Sequence, residues 1–187
     1  MTELSQLTAS KGPAGSHRAV ADAQRAMMSR FPTGVAVLTT VDQAGTPRGM
    51  TISSLCSVSL EPPTLLVCLR SGSPTLEAAL DSGRFAVNLL HSAARPVADL
   101  FASGAPDRFD RVRWAHDDAD PYAGGPHLFQ EAHAIADCLV SDRHRSWDHL
   151  VVFGKVLRVT QSPDQSPLVY GRHEYRAWPS AGDVGRL

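Results

Sequence analysis

The sequence predicts a mainly β protein: an antiparallel β-barrel, closed or nearly closed, with a few small helices on its outside. Three observations predict it. Six or seven apolar stretches have strand length and composition, the links between them (such as "DQAGTP") are rich in turn residues, and only three short segments carry helical spacing. A β-sandwich is the alternative packing of the same strands.

At 187 residues the chain makes one domain with a sizeable core. Its 43% hydrophobic and 20% charged residues are those of a globular protein. A net charge of -1 argues against nucleic acid as a main partner, because a phosphate-tracking surface needs an excess of Lys and Arg. No run nears the roughly 18 apolar residues of a membrane-crossing helix, so no membrane partner is expected. Residues 1–16 read as a disordered polar leader without the apolar stretch of a signal peptide, residues 17–180 as the folded domain, and 181–187 as a tail. Cys56, Cys68 and Cys138 are odd in number and widely spaced, each in an apolar run. They read as buried free thiols in a cytoplasmic protein. The eight histidines offer no metal-ligand spacing, so no metal is expected.

Along the chain, Val20, Ala23, Met27, Met28 and Phe31 give residues 17–31 one apolar helical stripe, which Pro32 ends. "GVAVLTTV" is a strand, "DQAGTP" a turn and "GMTISSLCSVSL" a second strand. In that strand Met50, Ile52, Cys56, Val58 and Leu60 share the even face and suit a core, with Ser54 the one polar member. Thr51, Ser53, Leu55, Ser57 and Ser59 occupy the odd face. "EPP" breaks the strand and "TLLVCLR" is a third, completing an antiparallel meander. Ser73 as cap, Pro74 in the first turn and Gly83 at the stop delimit a helix. "RFAVNLL" lacks polar alternation and reads as a strand buried on both faces. "ARPVADLFAS" is another helix, and residues 104–130 are an ordered loop with little regular structure. "HAIADCLVSDRH" and "DHLVVFGKVLRVTQ" are further strands, and "PLVYGRHEYRAW" closes the chain.

The sequence has no G-x-S-x-G elbow, H-E-x-x-H, Walker motif or dinucleotide fingerprint, so the hard chemistry of an enzyme would fall to a cofactor. The hydroxyls are the positive sign. Thr51, Ser53 and Ser54 are followed by Ser71, Ser73 and Thr75, where a strand ends, a helix begins and backbone N–H groups point outward. With one Arg they make a candidate phosphate cradle, each charge-assisted hydrogen bond contributing about 1.5–3 kcal/mol. Alternatively, Ser73 is only an N-cap and the others fill a polar strand face.

"FPTGVAVLTT", "GMTISSLCSVSLEPPTLLVCL", "SPTLEAALDSGRFAVNLL", "LFAS…DRF" and "DHLVVFGKV…PLVYGRHEYR" stand in the order they have in the flavin reductase-like domain. From about residue 20 to 178 the chain resembles the short-chain NAD(P)H:flavin reductases of two-component flavin-dependent monooxygenases. The resemblance implies a split, Greek-key-like β-barrel and a homodimer. It implies FAD or FMN as an exchangeable substrate, NADH or NADPH as reductant, and a partner monooxygenase, by analogy one of secondary metabolism. By the same resemblance, Thr33 and Gly34 lie near the flavin ring, and Met50, Thr51, Ile52, Ser53 and Ser54 contact ring and ribityl chain. Ser71, Ser73 and Thr75 receive the phosphate, the backbone of Asn88, Leu89 and Leu90 follows the isoalloxazine, and Arg108 pairs with phosphate or pyrophosphate. Asp148 and His149 match the end of the family's G-D-H motif. His149 is then the catalytic position, beside flavin and nicotinamide with no obligatory acid-base role, and Tyr175 lies near the same pocket. The chain departs from the family at Trp147, where Gly is usual: the ring could stack on nicotinamide or adenine, obstruct the pocket, or only pack. Two rivals share the architecture: a non-catalytic flavin carrier or storage protein, and a pyridoxamine-phosphate-type oxidase, against which the F-A-V-N and D-H blocks argue. An interaction domain without flavin would leave the hydroxyl face accidental.

Overall fold

A computed structural model describes residues 16–162 and 165–179; the expected leader, but for Ser16, and the expected tail lie outside them. Helix α1 (Ser16–Met28) leads to strands β1 (Thr33–Gly34), β2 (Ala36–Val41), β3 (Pro47–Ile52), β4 (Leu55–Leu60) and β5 (Pro63–Arg70). Helix α2 (Pro74–Ser82), β6 (Arg84–Leu90) and helix α3 (Arg95–Ser103) follow. After a long loop come β7 (Ala132–Ser146), β8 (His149–Gln161), β9 (Leu168–Gly171) and β10 (Glu174–Ala177).

Seven strands form one antiparallel sheet in the order β3-β2-β6-β7-β8-β5-β4, and β1-β9-β10 form a second. β3 and β4 are the two edges of the large sheet, yet only Ser53 and Ser54 separate them along the chain. The sheet therefore curls until its edges come together at this link, a barrel left split between them. The expected meander is corrected here. A two-residue link that is not a turn sends the chain straight on, so its two halves pair with different neighbours, β2 and β5.

Alternation on β2 and β6 fills two cores. Ala36, Leu38, Phe85 and Val87 point into the barrel with Ile52, Val67, Leu69, Cys138 and Val152. Val37 and Leu90 point outward beneath α3 and the loop, against Ala98, Phe101, Phe109 and Leu128. β6 is thus buried on both faces, as its unbroken apolar run predicts. Gly154 leaves room for Phe85, since a Cβ there would lie 2.4 Å from the ring.

The even-face reading of 50–60 holds only as far as the link. Ile52 is buried and Met50 half-buried, but Cys56, Val58 and Leu60 are exposed. The break at Ser53–Ser54 ends the alternation, and β4 is an edge strand that no other strand among the described residues covers. The stripe of α1 is likewise exposed at Val20, Met27, Met28 and Phe31. Among the free cysteines only Cys138 is buried, its thiol pushed up to about 12 by burial and by Asp137. Cys68 is half-buried and Cys56 exposed, against the expectation of three buried thiols. No helix among the described residues is long and apolar enough to cross a membrane.

The loop after α3 is ordered by buried polar groups rather than by regular structure. Thr39 Oγ1 donates to Pro126 O at 2.6 Å. Asn88 donates through Nδ2 to Val37 O at 3.2 Å and to Thr39 Oγ1 at 3.0 Å, and its Oδ1 accepts from Leu128 N at 2.8 Å. Asn88→Ala is expected to cost about 2 kcal/mol, because it strands the buried Leu128 N–H; chemical denaturation measures it. On β7, the fully buried Asp137 accepts from Gly124 N at 2.8 Å, His127 Nε2 at 2.7 Å and Arg158 Nε at 2.9 Å.

Candidate functional site

At the split in the barrel, two cavities of about 430 and 620 Å³ share Phe31, Thr33, Ser53 and Leu55. The first extends to Gly34, Leu89 and His133, the second to Arg25, Cys68, Tyr170 and His173. Together they form a groove with mostly apolar walls and a few polar groups, the usual make-up of a cofactor site.

The link builds the groove. Ser54 Oγ donates to Cys68 O at 2.9 Å and accepts from Cys68 N at 3.2 Å, holding the break against β5. Thr51 Oγ1 donates to Ala98 O at 2.6 Å, and Ser59 Oγ accepts from Glu61 N at 3.0 Å. Three of the hydroxyls that mark this stretch therefore serve the fold. Ser53, exposed and in neither ladder, is left facing both cavities.

A second patch lies along the same sheet face. Leu66 and Cys68 line the groove, and Arg70 follows two residues on, paired with His149. Cross-strand partners share a face, so His149 stands roughly 7 Å beyond Cys68. Its Nδ1 lies 2.9 Å from Asp148 Oδ1, and His149 holds that carboxyl below the usual aspartate range. Ser71 N donates to Asp148 O at 2.9 Å, joining the hairpin to the loop before α2. In that loop Ser73 Oγ caps the helix, accepting from Leu76 N at 3.3 Å, and Thr75 is buried. Trp147 forms the hairpin tip with φ 55 and is 93% exposed. Glycine adopts that backbone most easily, so Trp147 is strained there.

The other candidates lie apart. Arg108 donates to Ala105 O at 2.8 Å, while its Nε is buried without a partner. Burial, then Arg48, lowers its pKa. An N–H lacking an acceptor fits an anionic group. Arg48, however, is five residues before Ser53 on an extended strand, roughly 17 Å away. Ile52 and Leu90 are buried, the Asn88 amide is committed to the loop, and the backbone of all three is paired with neighbouring strands. Tyr175 packs on Tyr170 at 4.9 Å, with Arg95 5.9 Å over its ring, and lines a neighbouring cavity of about 670 Å³. Burial raises its pKa. Tyr170, not Tyr175, lines the groove. Phe31, Leu55, His133, Tyr170 and His173 escape sequence reasoning: each reads locally as helix stripe, strand or turn, and only the curl of the sheet gathers them.

The model of the flavin reductase like domain matches residues 28–179. A flavin reductase (NADPH) of Lentzea aerocolonigenes is 49% identical over 168 residues, covering 90% of this chain and 95% of the relative. The reductase subunit HsaB of a Mycobacterium tuberculosis flavin-dependent monooxygenase is 35% identical over 153 residues, covering 81% and 79%. Among solved structures, the NADH:FAD oxidoreductase of Streptomyces globisporus, in complex with NAD and FAD fragments, superposes with a TM-score of 0.77 at 29% identity, covering 86% and 93%.

Proposed function

Because the chain belongs to the flavin reductase-like family, we propose that its groove is where a reduced nicotinamide meets a flavin. The chain is an NAD(P)H-dependent flavin reductase whose product serves a monooxygenase. One observation carries the reading of the groove: two cavities, each large enough for a planar ring system, abut at Phe31, Thr33, Ser53 and Leu55. Flavin, when bound, supplies the hydride acceptor. The chain's residues orient and shield. Phe31, Leu55 and Leu89 exclude water, Thr33 and Ser53 offer hydroxyls to ring edges, and no side-chain acid or base is required. Ser71 and Ser73 are proposed to hold phosphate, and His149 to position the nicotinamide.

A homodimer belongs to the same proposal. The exposed apolar residues of α1 and the uncovered edge strand β4, with Val58 and Leu60, form faces that a second copy would bury. A cytoplasmic location is also proposed, where nicotinamide nucleotides are abundant and free thiols stay reduced. Mixing the purified protein with NADH or NADPH and free FAD or FMN tests the reading. Nicotinamide oxidation that is catalytic in added flavin is expected. A protein that keeps its flavin and oxidises no nicotinamide would instead be a carrier.

A further inference from the structure

We propose that the turn joining β9 to β10 forms a rim that binds a phosphate of a nucleotide substrate, an inference that rests on the nucleotide-binding reading of the groove. Gly171 pairs with Glu174, so Arg172 and His173 are the whole of a two-residue turn. Both are left-handed, with φ 52 and φ 63. Hairpin turns with two such residues favour Asn-Gly, because larger side chains are strained there. This chain places two basic side chains at the strained positions instead.

The turn is fixed at the groove. Arg172 N–H donates to Ser29 O, and Gly171 lies so near Pro32 that a Cβ would meet it at 3.3 Å. His173 lines the groove cavity, and Arg25 lines the same cavity from α1. The nearby acids are occupied: Asp22 pairs with Arg25 at 2.7 Å and Glu174 with Arg176 at 2.6 Å. Arg172 and His173 have no acidic partner among the described residues. A positive rim on a groove that admits nucleotides complements their phosphates. The phosphate is the 2′-phosphate of NADPH, the pyrophosphate of a nicotinamide dinucleotide, or the phosphate of a flavin.

The variant Arg172→Asn with His173→Gly keeps the N–H that fastens the turn, suits its backbone and removes both basic groups. Its Tm is expected to rise by about 2–6 °C. The KM of at least one nucleotide is expected to rise about tenfold with kcat held, the size of a solvent-accessible charge-assisted contact. A rise for NADPH alone assigns the 2′-phosphate, a rise for both NADPH and NADH the pyrophosphate, and a rise for FAD or FMN the flavin phosphate. Arg172→Gln with His173→Gln removes charge while keeping bulk and strain, and is expected to shift the same KM without the gain in Tm. Calorimetric titration with NADP⁺, NAD⁺, FAD and FMN reads the rim without turnover. If the wild type binds nucleotides but does not oxidise NADH or NADPH, the reductase reading fails while the rim is still decided by affinity. The rim is overturned if the double variants keep every KM and dissociation constant within about twofold of wild type.

Discussion

Asp137→Ala is expected to lower stability by about 3 kcal/mol, a fall in Tm of roughly 6–12 °C. The carboxylate is fully buried under the loop and is held by three residues from two segments. Gly124 N and His127 Nε2 come from the loop, and the Arg158 guanidinium from β8, with Nε at 2.9 Å and Nη2 at 2.8 Å. Removing one partner of such a network leaves the others desolvated and unpaired. Arg158 is partly exposed and keeps its bond to Asp120, so the loss falls at the lower end of the range for broken buried pairs. Thermal and urea unfolding of the variant measure it. The loop should loosen first, as faster amide exchange over residues 115–128.

The same group sets a pH dependence. Burial pushes the Asp137 pKa up, but His127, the Gly124 N–H and Arg158 together hold it below the ordinary 3.8. A depressed native pKa means the folded state binds its proton less readily than the unfolded chain. The stabilisation is therefore complete above about pH 3.8 and is lost as pH falls through the lower native value. Wild-type Tm is expected to drop steeply in that acid range, and the Asp137→Ala profile to be flatter. It keeps a residual slope because Asp42 and Asp120 are also held low, chiefly by the Thr46 and Tyr122 N–H groups.

Strands and helices were legible in the sequence wherever local chemistry decides them. Ser73, Pro74 and Gly83 bound α2 as cap, first turn and left-handed stop. The unbroken run at 84–90 is a doubly buried strand because helix and loop cover its outer face. The path at Ser53–Ser54 was not legible. Nothing in two serines says that the chain passes from one edge of the sheet to the other, and from that single event follow the failed meander, the exposed Val58 and the groove. Hydroxyl richness pointed to a stretch that lines the groove, for an incomplete reason: Thr51 and Ser54 are committed to Ala98 and Cys68. The bond from His127 to Asp137 spans ten residues with no periodic signal, and appears only when the loop folds over β7.

Ser53→Trp is expected to lower flavin-dependent NAD(P)H oxidation by about 100-fold while leaving Tm within about 2 °C of wild type. Ser53 is exposed, belongs to neither ladder and lines both cavities, so a large side chain there meets no core yet occupies the junction of the cavities, where the proposed function brings the two rings together. Hydride transfer needs reacting atoms about 3–3.5 Å apart, and an indole between the rings denies that separation even if each nucleotide still binds at its outer end. Binding and turnover should therefore separate, with affinities falling less than kcat. Ser53→Ala deletes only the hydroxyl and is expected to cost no more than about fivefold, near 1 kcal/mol for one hydrogen bond. If Trp and Ala behave alike, the contribution of Ser53 is its hydroxyl. If neither matters, the rings meet elsewhere, and the patch at Ser71, Asp148 and His149 becomes the place to look.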